Sequence, residues 1–162
     1  MKAIEELLRN AGISPIAGVD EAGRGPCAGP LVVAAVILKD PNATELAEVR
    51  DSKEVSESKR EILFDVIMNI AESVSVIIVP PTEIDERGVH AANLDGMRRA
   101  VQGLNVEPAY VLTDGYAIEG LGVPNLAVWK GDQVVVSISA ASVIAKVTRD
   151  RIMRELDEDF PL

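Results

Sequence analysis

Short apolar runs alternate along this chain with segments in which apolar residues recur at helical spacing. Leu31–Leu38 is apolar at every position, which is typical of a strand covered on both faces. Four other short runs predict strands at Ile16–Asp20, Val74–Val79, Tyr110–Asp114 and Asn125–Trp129. Three strands come early, and strands then alternate with helices. This order predicts an α/β fold, a mixed five-stranded sheet flanked by helices.

Helical spacing predicts the elements between and around these strands. A short helix is expected over residues 2–10. A longer one follows Ser56 or Ser58, either of which can cap its first turn, and another has Asn93 near its start. The last helix, Ile138–Leu156, begins with small serine and alanine side chains. Small side chains allow this helix to pack closely on the sheet.

Composition narrows the class of protein. The chain has 162 residues, 48% of them hydrophobic, with no repeat or long linker, so residues 1–162 are expected to form one domain. The longest apolar run is far shorter than the ~20 residues of a membrane helix. The single cysteine, Cys27, excludes an internal disulfide and fits a reducing compartment. We expect a cytoplasmic monomer without a membrane partner.

The net charge of −10 is unusual for a protein that binds nucleic acid, which ordinarily presents a basic face. A cluster of acids that binds cations can nevertheless reverse the charge locally. Aromatic residues make up 3% of the chain, which argues against a platform that stacks unpaired bases. Charge and composition therefore leave a metal-dependent nucleic-acid enzyme open.

Four carboxylates occupy comparable places in the predicted fold. Asp20 and Glu21 end the first strand, Asp114 ends the fourth, and Asp150 lies on the last helix. If strands one and four are neighbours, Asp20 and Asp114 converge at one edge of the sheet, and a helix crossing that edge can present Asp150. Oxygen ligands without a paired His or Cys suit Mg²⁺ or Mn²⁺, and two such ions can promote an in-line displacement at phosphorus. Each acid alone is explained by a turn or an exposed helix charge, so the prediction depends on convergence.

Glycines flank Arg24 in the stretch that follows the first predicted strand. Adjacent acids on a regular strand point to opposite faces, which would keep Asp20 and Glu21 apart. A break at Gly23 and Gly25 removes that restriction, because glycine adopts backbone angles closed to other residues. It also lets the backbone lie against a ligand, and the guanidinium suits a phosphate. The alternative interpretation is a strand followed by a solvated turn.

Five motifs, taken together and in order, resemble those of ribonuclease HII, the type 2 ribonuclease H family: GVDEAGRGP, DSK, LTDG, KGD and AASVIAKVTRDR. The resemblance extends from about residue 16 to the end of the chain, and the Ala-Gly-Arg-Gly form favours HII over HIII. It implies a ribonuclease H-like fold and metal-dependent hydrolysis of RNA in RNA–DNA hybrids. It also implies incision on the 5′ side of single ribonucleotides embedded in duplex DNA.

The resemblance also implies roles for individual residues. The four metal-binding carboxylates would be Asp20, Glu21, Asp114 and Asp150. The backbone of Gly23-Arg24-Gly25 would sense the ribose 2′-OH, the group that distinguishes RNA from DNA. Lys53 and Asn93 fall where the family contacts backbone phosphates.

The end of the chain departs from the family pattern. Family members usually continue beyond the last helix into a His-Lys-Gly-Tyr motif, whose tyrosine packs beside the deoxyribose after the ribonucleotide. That tyrosine has no counterpart before Leu162. We therefore expect the 162-residue chain to bind metal but to cleave weakly.

Two rival functions stay open: a nuclease of the same superfamily without selectivity for the 2′-OH, and a non-catalytic acidic domain that binds cations or a protein. The first rival would cleave duplexes whether or not they contain a ribonucleotide. The second would bind cations without turnover. For the remaining residues of interest, Trp129 is expected to pack and His90 to lie on the surface or at a helix start. Lys130 and Asp132 form either an ion pair in a turn or part of the site.

Overall fold

The computed structural model describes residues 4–25, 28–51 and 55–160. The strands are β1 (Ile16–Ala22), β2 (Leu31–Leu38), β3 (Ala71–Val79), β4 (Tyr110–Asp114) and β5 (Asn125–Val128). The helices are α1 (Ile4–Asn10), α2 (Ala47–Asp51), α3 (Glu57–Ile70), α4 (Pro81–Arg87), α5 (Val89–Gln102), α6 (Gly131–Val134) and α7 (Val136–Asp159). A 3₁₀ turn, Thr44–Leu46, precedes α2.

The elements agree with the hydrophobic pattern except where they are very short. All five predicted strands form, and β4 has the predicted bounds. Ser56 is the cap of α3, since its hydroxyl accepts a hydrogen bond from the Lys59 N–H at 3.2 Å. Two short helices, α4 and α6, were not predicted.

The five strands form one mixed sheet in the order β3-β2-β1-β4-β5. β1 runs antiparallel to β2 and parallel to β4, and β4 runs parallel to β5. Because Val19 pairs with Thr113, the residues that follow them, Asp20 and Asp114, reach the same edge of the sheet. The predicted α/β class and the mixed five-stranded sheet are confirmed, and strands one and four are neighbours, which is the condition for Asp20 and Asp114 to converge.

Helices cover both faces of β2, which explains its unbroken apolar sequence. The residues facing the core formed with α3 and α7 are Val32, Ala34, Val36 and Leu38. The residues facing the core formed with α5 are Leu31, Val33, Ala35 and Ile37. All eight positions are buried. Removing this apolar surface from water is the main stabilising contribution to the sheet.

The start of α7 lies directly on β1 at Gly18. A Cβ built at Gly18 would be 2.2 Å from the backbone carbonyl carbon of Ser137, so only glycine permits this approach. The buried carboxylate of Glu5, on α1, accepts hydrogen bonds from the Ser137 backbone N–H (3.2 Å) and hydroxyl. These contacts fix where α7 begins. Among the described residues, α7 included, no helix combines the length and the apolar character needed to cross a membrane.

Replacing Gly18 with alanine is expected to lower the free energy of unfolding by about 3 kcal/mol or more, because the added methyl group overlaps backbone atoms that cannot move independently. The measurement is urea unfolding followed by circular dichroism. Gly25→Ala is the matched control, because a Cβ there meets no atom within 4 Å and should change stability by less than about 1 kcal/mol. Equal stability of the two variants would contradict the close packing of α7 on β1.

Candidate metal centre

Three carboxylates lie together where β1 and β4 end. Asp20, Asp114 and Asp132 each offer one oxygen, and these oxygens lie within 4.8 Å of one another. Asp20 comes from β1, Asp114 from the end of β4, and Asp132 from α6, which follows β5 after a short turn. Oxygen donors from several elements at this spacing fit a hard divalent cation.

The turn between β5 and α6 brings Asp132 to this cluster. Lys130 has φ of 52°, a left-handed conformation that is uncommon for a residue with a side chain. The turn directs the Gly131 N–H to Asp114 Oδ1 at 3.0 Å and places Asp132 in the first turn of α6. The Ser139 hydroxyl donates to the Asp132 carbonyl at 2.6 Å, which holds α6 against α7.

Burial and mutual repulsion make these acids difficult to ionise together. Asp20 is 6% exposed, and this burial raises its pKa well above the ordinary value, with a further rise from the charges of Glu21, Asp114 and Asp132. A hydrogen bond from the Glu21 N–H to Asp20 Oδ1, at 2.8 Å, opposes that rise. Burial also raises the pKa of Glu21 and of Asp114. A bound cation would favour the ionised form of all of them.

Glu21 lies beside the cluster, within a strand that is longer than predicted. β1 continues through Ala22, and Glu21 and Ala22 pair with Val33 and Val32 of β2. The prediction that a glycine break frees Glu21 from the strand is therefore wrong, because the ladder to β2 extends past both acids. One oxygen of Glu21, Oε2, is buried and accepts no hydrogen bond from any described residue. That oxygen remains available as a ligand.

Asp150, predicted to join the cluster, lies outside it. Its Oδ2 accepts a hydrogen bond from Arg60 Nη2 of α3 at 3.4 Å, so it forms an ion pair there. Asp150 and Arg60 border an open cavity of about 410 Å³, and Glu21, Lys146 and Arg149 also line it. The third acid of the cluster is instead Asp132. The sequence feature that could have indicated Asp132 is its place just after the fifth strand, in the pair Gly131-Asp132. The pair Thr113-Asp114 has a comparable place at the end of the fourth strand.

The glycine-flanked segment borders two cavities. Gly23 lines the cavity that contains Asp150, and Gly23, Arg24 and Gly25 line a second, of about 260 Å³, against α4 and the start of α5. Gly23 has φ of 97°, and a Cβ there would lie 2.3 Å from Arg149 Nε. This position therefore requires glycine for both its backbone angle and its neighbour.

The other predicted contact residues have different outcomes. Asn93 is fully buried on α5, and neither its amide nitrogen nor its oxygen has a partner among the described residues. In this conformation the amide does not reach the surface, and its contact with a backbone phosphate stays a prediction. Lys53 lies outside the described residues. Trp129 is 82% exposed, so the prediction that it packs is wrong, whereas His90 lies near the start of α5 as predicted.

A family model and curated relatives that match this chain point to the same family. The family model described as Ribonuclease HII matches residues 17–161. Ribonuclease HII of Acidothermus cellulolyticus is 58% identical over 158 residues, which is 98% of this chain and 52% of that protein. Ribonuclease HII of Saccharopolyspora erythraea is 55% identical over 159 residues, which is 98% of this chain and 70% of that protein. The chain thus spans about half to two thirds of the length of these relatives.

A solved structure agrees with the sequence relatives. The ribonuclease H2 from Pyrococcus horikoshii superposes with a TM-score of 0.80 and 34% identity, over 90% of this chain and 76% of that one. The motifs from Gly18 to Asp150 that suggested the resemblance lie inside the matched region. Fold, motifs and relatives agree, and the chain belongs to the ribonuclease HII family.

Proposed function

We propose that this chain is a metal-dependent endoribonuclease that hydrolyses RNA in RNA–DNA hybrids and incises on the 5′ side of single ribonucleotides in duplex DNA. One observation carries the proposal: Asp20, Asp114 and Asp132 form a cluster where the strands end. The chain that presents this cluster belongs to the ribonuclease HII family. Such an activity would serve the removal of RNA primers and of misincorporated ribonucleotides. The products would carry a 5′-phosphate and a 3′-hydroxyl.

Asp20, Glu21, Asp114 and Asp132 would hold Mg²⁺ or Mn²⁺, with two ions expected. Bound there, the ions would supply positive charge to the attacking and leaving oxygens of an in-line displacement. The chain's own contribution is to hold buried acids at fixed positions before the ions arrive, with the Gly131 N–H orienting Asp114. The charge of Lys146 also affects Asp114. It lowers the pKa of this carboxyl and so opposes the rise that burial causes.

Cationic side chains beside Glu21 would receive the nucleic-acid backbone. Arg60, Lys146 and Arg149 line the cavity that Glu21 also borders, although the whole chain has a net charge of −10. Cations placed in this way contact phosphates without reading sequence. Selectivity for RNA would come from the backbone of Gly23-Arg24-Gly25, next to that cavity, through contact with the 2′-OH.

Asp20→Asn is expected to reduce cleavage of a single-ribonucleotide duplex by about 100-fold or more, since it removes a charged ligand from the proposed metal site. The folded protein raises the pKa of Asp20, so its ionisation costs stability. This cost is absent well below the ordinary aspartate pKa of about 4 and grows as pH rises through the raised value. In EDTA, the variant should therefore melt at the same or a higher temperature than the parent at pH 7, with the difference shrinking as pH falls and vanishing only well below about pH 4.

Asp157→Asn, on the exposed end of α7, is the control and should change neither the rate nor the pH dependence of melting. Near-normal turnover by Asp20→Asn would exclude this carboxylate as a ligand.

Comparing Asp132→Asn with Asp150→Asn tests which acid completes the metal site. Because Asp132 is in the cluster and Asp150 is paired with Arg60, only Asp132→Asn should weaken binding of Mn²⁺, by roughly 10-fold or more. The measurement is the rise in melting temperature as Mn²⁺ is titrated, which reports binding to the folded state. A larger loss in Asp150→Asn than in Asp132→Asn would reverse the assignment.

Selectivity should depend on the glycine-flanked segment. The parent should cleave a duplex with one ribonucleotide in Mg²⁺ or Mn²⁺ and leave an all-DNA duplex intact. Gly25→Val should lower ribonucleotide-dependent cleavage about 100-fold, because its side chain would occupy the space beside the backbone that the ribose has to approach. A β-carbon at Gly25 meets nothing within 4 Å, so the melting temperature should be preserved. Equal cleavage of both duplexes by the parent would favour a nuclease without ribose selectivity.

A further inference from the structure

Arg24 lies between two aromatic side chains that come from distant parts of the chain. Its Nη2 is 3.2 Å from His90 Nδ1, on the first turn of α5. Its Cζ is 4.2 Å from the centre of the Tyr116 ring, which follows β4. The two rings also contact each other edge-on, with centroids 5.2 Å apart and planes at 66°. Three separate elements therefore meet at this guanidinium.

The contacts are directional and suit an arginine. A guanidinium only donates hydrogen bonds, so Nδ1 of His90 is the acceptor and the ring proton lies on Nε2. The face of Tyr116 carries negative charge density that attracts the cation, which fixes the plane of the guanidinium from a second side. Together the two contacts define both the position and the orientation of Arg24.

One end of Arg24 is left without a partner by this arrangement. Its Nη1 is buried and donates to no acceptor among the described residues. The cavity of about 260 Å³ that Arg24 lines also includes the backbone of Gly23 and Gly25. A buried guanidinium N–H without an acceptor is costly, and a phosphate oxygen is the kind of acceptor that it fits.

The opposite side of the segment is held independently. Arg149 of α7 donates from Nε to the Pro30 carbonyl at 3.0 Å and from Nη2 to the Ala28 carbonyl at 2.7 Å. It also lies beneath Gly23. Loss of His90 or Tyr116 would therefore leave Gly23, Ala28 and Pro30 against Arg149 of α7 and would release only the Arg24 side chain.

We propose that His90 and Tyr116 are positioning residues that hold Arg24, and through it the peptide groups of Gly23-Arg24-Gly25, for contact with the ribonucleotide and its adjacent phosphate. The inference rests on the proposed function. In the part of the chain that the structure describes, neither residue has a contact with Asp20, Asp114 or Asp132, so we expect them to act on binding of the substrate strand and to leave these three carboxylates in place. Their effect on the reaction passes entirely through Arg24.

The test measures kcat and KM on a single-ribonucleotide duplex in Mn²⁺ for two disruptive variants and their conservative counterparts. His90→Ala and Tyr116→Leu should each raise KM about 10-fold, the size expected for a lost contact to a charged group, and should change kcat less than about threefold. His90→Asn, which keeps an acceptor near Nδ1, and Tyr116→Phe, which keeps the ring, should stay within about twofold of the parent. The stabilisation by Mn²⁺ should be the same in all four.

A double-variant cycle separates positioning through Arg24 from a general effect on the fold. In an Arg24→Ala background, adding His90→Ala or Tyr116→Leu should raise KM no further, because the residue they act through is absent. Full additivity would overturn the inference, as would parental KM in His90→Ala and Tyr116→Leu. A parent that does not cleave the ribonucleotide duplex at all would instead overturn the proposed function, and the inference with it.

Discussion

Repulsion between carboxylates crowded at the ends of β1 and β4 is the constraint that the rest of the structure has to overcome. Asp20 is 6% exposed and lies within a cluster whose oxygens are within 4.8 Å of one another. Their ionisation without a cation costs stability. The central strands, buried on both faces by α3, α7 and α5, provide the hydrophobic stabilisation that offsets this cost. The acids are thereby held in place for a cation before it binds.

The sequence predicted the strands well because each is a short apolar run. It left open whether the first and fourth strands are neighbours, and the structure answers this with the parallel pairing of β1 and β4. It did not reveal α4 or α6, which have seven and four residues and so are too short to show a helical repeat. Nor did it show that β1 continues to Ala22, because the length of a strand near glycines is decided by its partner, here β2. The pattern within one segment predicts whether that segment forms a strand or a helix. It does not predict how far a strand pairs with its neighbour.

The same distinction explains why Asp132 was undervalued and Asp150 overvalued. Residues at the ends of neighbouring parallel strands reach one edge of the sheet by topology alone, which brings Asp114 there and carries the chain after β5 towards the same edge. Strand pairing does not determine in this way where a residue on a helix lies. Asp150 lies close to the end of β1, because the neighbouring Arg149 reaches Gly23 and Asp150 shares a cavity with Glu21. Its carboxylate is paired with Arg60 of α3, and spacing along one helix does not reveal that partner. Spacing likewise does not show which way the buried amide of Asn93 points.

The pairing of Asp150 with Arg60 has a consequence for the acid cluster. A strongly acidic chain provides little long-range attraction for a polyanion, so contact with the proposed nucleic-acid substrate would depend on local cations. Those cations would neutralise the cluster if they were free to pair with it. Arg60 is instead held by Asp150 and by the Val55 carbonyl, and Arg149 by the carbonyls of the loop after Gly25. The positive groups are thereby kept at the border of the cavity, where a phosphate can meet them, and the carboxylates stay available for metal.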